Sequence, residues 1–323
     1  MKKKKLLLLA VELLGVIAII FGVLAFQKHT EEQDAELVSA EDAARRYRPT
    51  ISYQGQDYPL KRNMSSLLLI GTDNFVDDAK QREGLPYNSN LADFLVVLVF
   101  DHSAKTVTPL QICRDTMCDV TTTSSRVRRM QITLSHSYFS GKEDSAENTR
   151  NAVQKLLHDA PIDSYLAFSM DAVPTANDLV GGVTLTLEDD IPALGPNYIA
   201  GATVTLKGQE ALRFIRYRDT SLLDDNLRRM AHHRLYITAF VEQARDLAAK
   251  DPDFTMKAFR RVEKFLCTDL TVDNLSRMLE NLNEYEILPA ITPDGKYQKG
   301  EQFAEFIVDE TSLWDCVHTV FCA

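Results

Sequence analysis

The chain reads as an α/β domain, a sheet covered by helices on both faces, carried behind a single membrane-spanning helix. Three observations predict this. Short apolar runs of strand length are interleaved with longer stretches in which apolar residues recur at helical spacing. Of the 323 residues, 45% are hydrophobic, enough to bury a full core. The first apolar run, Leu6 to Phe26, is broken only by Glu12 and follows four lysines, Lys2 to Lys5.

A run of that length spans a bilayer as a helix, for which about 20 residues suffice, and flanking lysines stay on the cytoplasmic side. A cleaved secretory signal is the rival reading. Its apolar region is usually about 7 to 15 residues and ends in small residues, whereas Leu24-Ala25-Phe26-Gln27 is a poor cleavage site. The run is therefore expected to anchor a single-pass cell-membrane protein, N-terminus cytoplasmic, with everything after Phe26 outside. Glu12 is tolerated there if protonated or paired. The expected division is 1–26 for the lysines and anchor and 27–62 for a polar stalk with some helix near 40–47. Residues 63–250 make the main domain, and 251–323 a C-terminal α/β extension.

Within the main domain, 65–71, 94–100 and 106–112 are strands, and Asp101 to Lys105 has the length and polarity of a hairpin loop. Helices follow at 146–158 and 171–179, with strands at 165–168 and 183–187. Gly181-Gly182 supplies the left-handed conformation that closes the second helix. A long helix covers 226–249, with Met230, Ile237, Phe240 and Val241 at helical spacing. Beyond Pro252 the pattern predicts helices at 255–266 and 272–284, a strand at 287–291 and a terminal helix at 311–321. The apolar faces of 226–249 and 171–179 are either plain core or the lining of an apolar tunnel.

The formal net charge is −10, and the first 26 residues hold four lysines against one glutamate, so the remainder carries −13. Such a chain lacks the basic face that nucleic acid requires. Its arginines gather instead in short motifs, Arg114-Asp115-Thr116 and Arg216-Tyr217-Arg218, which points to a local anion pocket. Five cysteines (Cys113, Cys118, Cys267, Cys316, Cys322) in an oxidising exterior allow up to two disulfides, Cys118 with Cys267 being one candidate pair. His232 and His233, adjacent on a helix, do not share a face, which argues against zinc there.

If 65–71 pairs antiparallel with 94–100, Asp73 just past one strand meets Asp93 just before the other. The hairpin then returns Arg114 and Asp115 to the same end, where α/β sheets place ligands. Arg216 and Arg218, two apart in an extended segment, present one face and grip a diphosphate with paired hydrogen bonds. Asp73 and Asp93 hold Mg²⁺ beside it, a hard ion that takes a few protein oxygens plus phosphate and water. Residue types alone fit ordinary ion pairs equally well. The order of the motifs separates the two readings.

That order is Leu68-Leu69-Ile70-Gly71-Thr72-Asp73, Ala92-Asp93, Ile112-Cys113-Arg114-Asp115-Thr116, Leu179-Val180-Gly181-Gly182-Val183, then Leu206-Lys207-Gly208-Gln209-Glu210-Ala211-Leu212 running into Arg216-Tyr217-Arg218. Over roughly 65–241 it resembles the LytR-CpsA-Psr family, and the leading anchor fits. The resemblance implies a three-layer α/β/α domain with a mixed central sheet. It further implies a phosphotransferase that moves a glycopolymer from a polyprenyl diphosphate carrier to peptidoglycan through a phosphodiester, with Mg²⁺ or Mn²⁺. On that pattern Asp73 and Asp93 are the metal ligands, and Arg114, Arg216, Arg218 and Arg229 bind the diphosphate. Asp73, Asp93, Arg114 and Asp115 form the catalytic set, an aspartate taking the proton of the attacking hydroxyl. Asp93→Asn is then expected to abolish metal dependence with little effect on folding.

Several positions depart from the family pattern. Leu91 stands where an arginine is common, Gln131 and Thr133 replace a lysine and an asparagine, His232-His233 replace an arginine and a glutamine, and Cys113 replaces a proline. Arg126, Arg128 and Arg129 either compensate for the missing cations or form a solvated loop. These departures keep two rivals in play, an envelope protein that binds wall polymer or lipid carrier without catalysis, and a hydrolase of the same diphosphate.

Overall fold

The computed structural model describes residues 49–73, 90–219, 222 and, with short gaps, 224–323. The run 6–26 and the helix expected near 40–47 lie outside the described residues. No helix among the described residues is long and apolar enough to cross a membrane.

At the centre is a six-stranded mixed sheet. Its middle is β3 (Met64–Thr72), β4 (Ala92–Asp101) and β5 (Thr106–Ile112), paired antiparallel in sequence order, as the apolar runs predict. β8 (Ser164–Ser169) lies parallel to β3, and β11 (Leu266–Thr268) pairs antiparallel with β8. At the other edge β12 (Glu286–Ile287) lies parallel to β5.

Side chains alternate across the strands, so β4, apolar throughout, feeds two cores. Leu95, Val97 and Val99 join Leu68 and Ile70 on one face. There they meet Ala152 and Val153 of helix α1 (Glu143–Leu156) and Trp314 and Val317 of α6 (Glu310–Phe321). Phe94, Val96 and Leu98 join Leu67 and Leu69 on the other, against Val241 of the long helix α4 (Asp225–Lys250). An adjoining face of α4, through Tyr236 and Phe240, packs on a third cluster. That cluster includes Ala176 of α2 (Ala172–Leu179), Phe214 of α3 (Gln209–Arg216) and Val262 of α5 (Phe254–Val262). Met230, Tyr236, Phe240 and Val241 of α4 are buried in these packed clusters, whereas Leu227 is exposed.

The stalk expected to run to residue 62 ends sooner. β1 (Thr50–Tyr53) and β2 (Gln56–Pro59) form a hairpin, with Gln54 and Gly55 both at positive φ in the two-residue turn that matches strand twist. Tyr53 stacks on Trp314 at 4.2 Å, and Ile51 is buried with it. The segment 251–323 is not set apart either, because β11 and β12 complete the central sheet. The helix expected over 255–266 stops at Val262, and a 3-10 turn, Glu263–Phe265, leads into β11. The one expected over 272–284 falls largely outside the described residues. The strand expected over 287–291 is only Glu286–Ile287, followed by a bridge from Ile291 to Leu110.

Three hairpins went unpredicted. They pair β6 (Met117–Thr121) with β7 (Val127–Gln131), β9 (Val183–Thr186) with β10 (Thr203–Leu206), and β13 (Gly295–Lys299) with β14 (Ala304–Val308). All five cysteines are free thiols, Cys118 and Cys267 both buried in the core shared by β4 and α1. The proposed disulfide is not formed.

Candidate active site

The β3–β4 ladder slips at its end. Gly71 faces Phe94 and Thr72 faces Ala92, leaving Asp93 as the extra residue of a bulge. Bulges at sheet ends re-aim side chains, and this one turns Asp93 into the cluster. Gly71 permits it, since a Cβ there would lie 2.8 Å from the Phe94 Cβ.

Asp93 receives two buried arginines. Arg114, delivered by the end of β5, hydrogen-bonds one carboxylate oxygen, and Arg229 of α4 lies 3.4 Å from the other. Burial works to raise the Asp93 carboxyl, but the two guanidiniums outweigh it and hold it below the usual carboxylate range. Asp73, the first residue beyond β3, is partly exposed. Arg216 donates to its carboxylate at 3.0 Å and to its carbonyl at 3.2 Å. Burial and the nearby negative charge of Asp93 raise the Asp73 carboxyl, against the pull of Arg216. Two neighbouring carboxylates are thus driven apart in acidity.

Asp115 is buried beside Arg114, accepting from Gln131 at 3.1 Å and from the Tyr297 hydroxyl at 3.1 Å. Arg218 lies 3.4 Å from Asp225, a buried residue in the first turn of α4. Arg114, Arg216, Arg218 and Arg229 therefore face Asp73, Asp93, Asp115 and Asp225. The Nε atoms of Arg114 and Arg229 are buried and find no hydrogen-bond partner among the described residues. That of Arg114 faces Asp115 Oδ1 at 3.5 Å, just beyond a good hydrogen bond. Arg213, Arg216 and Arg218 also line a pocket of about 520 Å³ with Leu212 and Tyr217.

The structure brings together every residue the sequence nominated, but corrects the geometry of one pair. Arg216 and Arg218 are not in one extended segment. Arg216 ends helix α3, whose Ala211, Leu212, Phe214 and Ile215 are buried, and the chain turns extended only at Tyr217. Strand alternation does not apply, and the two arginines reach different aspartates. Arg126, Arg128 and Arg129 are exposed around and along β7, a solvated strand in place of a solvated loop. His232 makes a 2.8 Å contact with Asp189, which also lies 3.4 Å from Arg228. His233 donates through Nε2 to the Ile215 carbonyl, and burial lowers its pKa to about 3, so it is neutral. Sequence reasoning missed Asp225, Asn226 and Tyr297. Asp225 was findable as an acid one helical turn before Arg229, whereas Tyr297 carries no local signal.

Among the described residues no three His, Cys, Asp or Glu side chains gather as a metal site. Asp73 and Asp93 are nevertheless hard oxygen donors crowded enough to disturb one another. Donors of this kind suit a cation that draws the rest of its shell from phosphate and water, and here both carboxylates are held by arginines.

Solved structures share this fold. TagT bound to LI-WTA aligns with 80% of this chain and 90% of its own at TM-score 0.60 and 19% identity. Protein gbs0355 from Streptococcus agalactiae aligns with 80% and 86% at TM-score 0.62 and 17% identity. The likeness of these structures to this chain is one of fold. The sequence pattern of the chain matches the LytR_cpsA_psr family over residues 23–313, and the chain belongs to that family. A polyisoprenyl-teichoic acid–peptidoglycan teichoic acid transferase, TagU of Bacillus cereus, is 24% identical over 282 residues, 87% of this chain and 84% of its own.

Proposed function

We propose that this chain transfers a glycopolymer from a polyprenyl diphosphate carrier to peptidoglycan, forming a phosphodiester, from an extracytoplasmic position behind the 6–26 anchor. The observation that carries the reading is the pair of buried arginines, Arg114 and Arg229, converging on Asp93. The relatives' named activity supports the same class of substrate.

The reaction requires attack by a sugar hydroxyl on the phosphorus that bears the polymer. The bond to the bridging oxygen breaks, and polyprenyl phosphate leaves. Arg114, Arg229, Arg216 and Arg218 bind the diphosphate and offset charge on the leaving oxygens. Asp93, tied by two arginines, is a poor base and serves to aim them. Asp73, raised in pKa and open to solvent on one side, is the better acceptor for the hydroxyl proton. Asp93, with Asp73 while that residue is not acting as base, would hold a Mg²⁺ ion, which would supply further neutralisation of the diphosphate. The four arginines and four carboxylates balance, so the charge of a doubly charged diphosphate diester would be matched by one divalent cation.

The test follows labelled polymer from lipid carrier to peptidoglycan with the full chain in detergent, with and without Mg²⁺. Arg218→Ala should lower transfer roughly 100-fold, the scale for losing one aimed donor. Arg218→Lys should rescue poorly, keeping charge but losing the fork. Folded variants with wild-type transfer would exclude these roles. Release of free polymer phosphate would identify a hydrolase, and tight lipid binding without any product would identify a binding protein.

A further inference from the structure

We infer that Tyr297, contributed by the C-terminal hairpin β13–β14, is a positioning residue that closes a ring of polar contacts fixing Arg114 and Arg229 on Asp93. The inference rests on the diphosphate reading above.

The ring can be followed atom by atom. Arg229 donates through Nη2 to Asn226 Oδ1 at 2.8 Å, and Asn226 donates through Nδ2 to the Cys113 sulfur at 3.3 Å. The Cys113 sulfur lies 3.2 Å from the Tyr297 oxygen, and the Tyr297 hydroxyl donates to Asp115 Oδ2 at 3.1 Å. The other oxygen of Asp115 lies 3.5 Å from Arg114 Nε. Arg114 and Arg229 then meet at opposite oxygens of Asp93, which completes the circuit.

Proton counting gives the circuit a direction. Tyrosine has one hydroxyl proton, and Asp115 receives it, so the Cys113 thiol donates to the Tyr297 oxygen while its sulfur accepts from Asn226. Burial, reinforced by the charge of Asp115, raises the thiol pKa, and burial likewise raises the phenol, so both keep the protons the circuit needs.

The hairpin is docked at the site as if for this purpose. Phe306 donates its backbone N–H to the Asp115 carbonyl at 2.9 Å, and Gln131 spans from Asp115 to the Ala304 carbonyl. The Tyr297 ring packs edge-on against Phe306 at 5.1 Å, inside a small cluster with Cys113 and Met230. Tyr297→Phe therefore keeps the packing and removes one hydroxyl. A guanidinium recognises a diphosphate only when its fork is held in plane, and the ring holds two forks.

The experiment measures inorganic diphosphate binding by the full chain in detergent, well below its thermal midpoint, alongside transfer kinetics. Tyr297→Phe should weaken diphosphate roughly tenfold, the scale of one hydrogen bond to a charged group. The kcat/KM for the lipid donor should fall by the same factor, while KM for the peptidoglycan acceptor holds. Adding Cys113→Val should cost little more, because both changes open one circuit, whereas a merely structural brace gives additive losses and moves the acceptor KM as well. Should Tyr297→Phe not fold, Cys113→Ser and Cys113→Val carry the test, since serine retains a donor and an acceptor and valine neither. Affinity should then fall in the order wild type, serine, valine. Folded Tyr297→Phe or Cys113→Val with wild-type diphosphate affinity would overturn the inference. Diphosphate binding that responds to Tyr297→Phe in a protein that transfers nothing would uphold it and remove the transfer reading; no diphosphate binding by wild type would remove both.

Discussion

Asp73 and Asp93 look interchangeable in the sequence, two carboxylates near strand ends, and the structure gives them different work. Asp93 lies between Arg114 and Arg229, all three buried, so the sequence-based expectation that Asp93→Asn leaves folding intact is corrected. Removing that charge strands two guanidiniums in a low-dielectric interior. Breaking a buried pair in this way costs about 3 to 5 kcal/mol, and denaturant unfolding of Asp93→Asn should show a loss of that size. Asp73 is partly exposed, and its pair with Arg216 sits in the class of surface bridges that contribute about 0 to 1 kcal/mol. Asp73→Asn should therefore unfold close to wild type while losing transfer. A variant pair with equal stabilities would refute this division of roles. The residue types of the site were legible in the sequence because motif order announced them. Their roles were not, because burial decides them and burial depends on the bulge at Asp93.

That bulge is an element-scale device, and its seat is Gly71. A Cβ at residue 71 meets the Phe94 Cβ at 2.8 Å and the Phe168 ring at 3.1 Å, neither a flexible chain end. Gly71→Ala should force β3 and β4 apart where Asp93 emerges, at about 1 to 3 kcal/mol, the usual range for overpacking. Calorimetric or denaturant unfolding reads that loss, and diphosphate binding should weaken with it. An alanine variant as stable as wild type would mean that the bulge is not held by close packing. The elements best read from sequence are those like β4, whose two buried faces leave an unbroken apolar run. β7 was missed because Val127, Arg128 and Arg129 are all exposed, and β10, the partner of the expected strand β9, because Thr203 and Thr205 line an exposed outer face. Helix α3 was taken as extended from its last residue alone, although Ala211, Leu212 and Ile215 mark its buried side. Short two-stranded hairpins acquire their shape from what they pack on, and a single sequence window does not contain that partner.

At the scale of the whole molecule, the first and last described elements and the site are linked through the sheet. The β1–β2 hairpin and α6 close one core, β11 and β12 close the sheet edges, and β13–β14 reaches the arginine cluster. Stability of this assembly depends on pH through two histidines buried in neutral form. His136, in the turn after β7, makes a 3.2 Å contact with the Asn90 carbonyl, and burial lowers its pKa to about 4; His233, within α4, is lowered to about 3. Both titrate near 6.5 when unfolded. A depressed folded pKa means that the unfolded chain binds the proton first, so this stability is fully present above about pH 6.5. It is lost as pH falls toward 4 and then 3. Over that window the unfolding free energy should fall with a slope approaching about 1.4 kcal/mol per pH unit for each histidine. His136→Asn keeps a side-chain donor for the Asn90 carbonyl but cannot titrate. Denaturant unfolding at pH 7 and pH 5 should therefore show a slope in the variant reduced by one histidine's share, and an unchanged slope would refute a neutral buried His136.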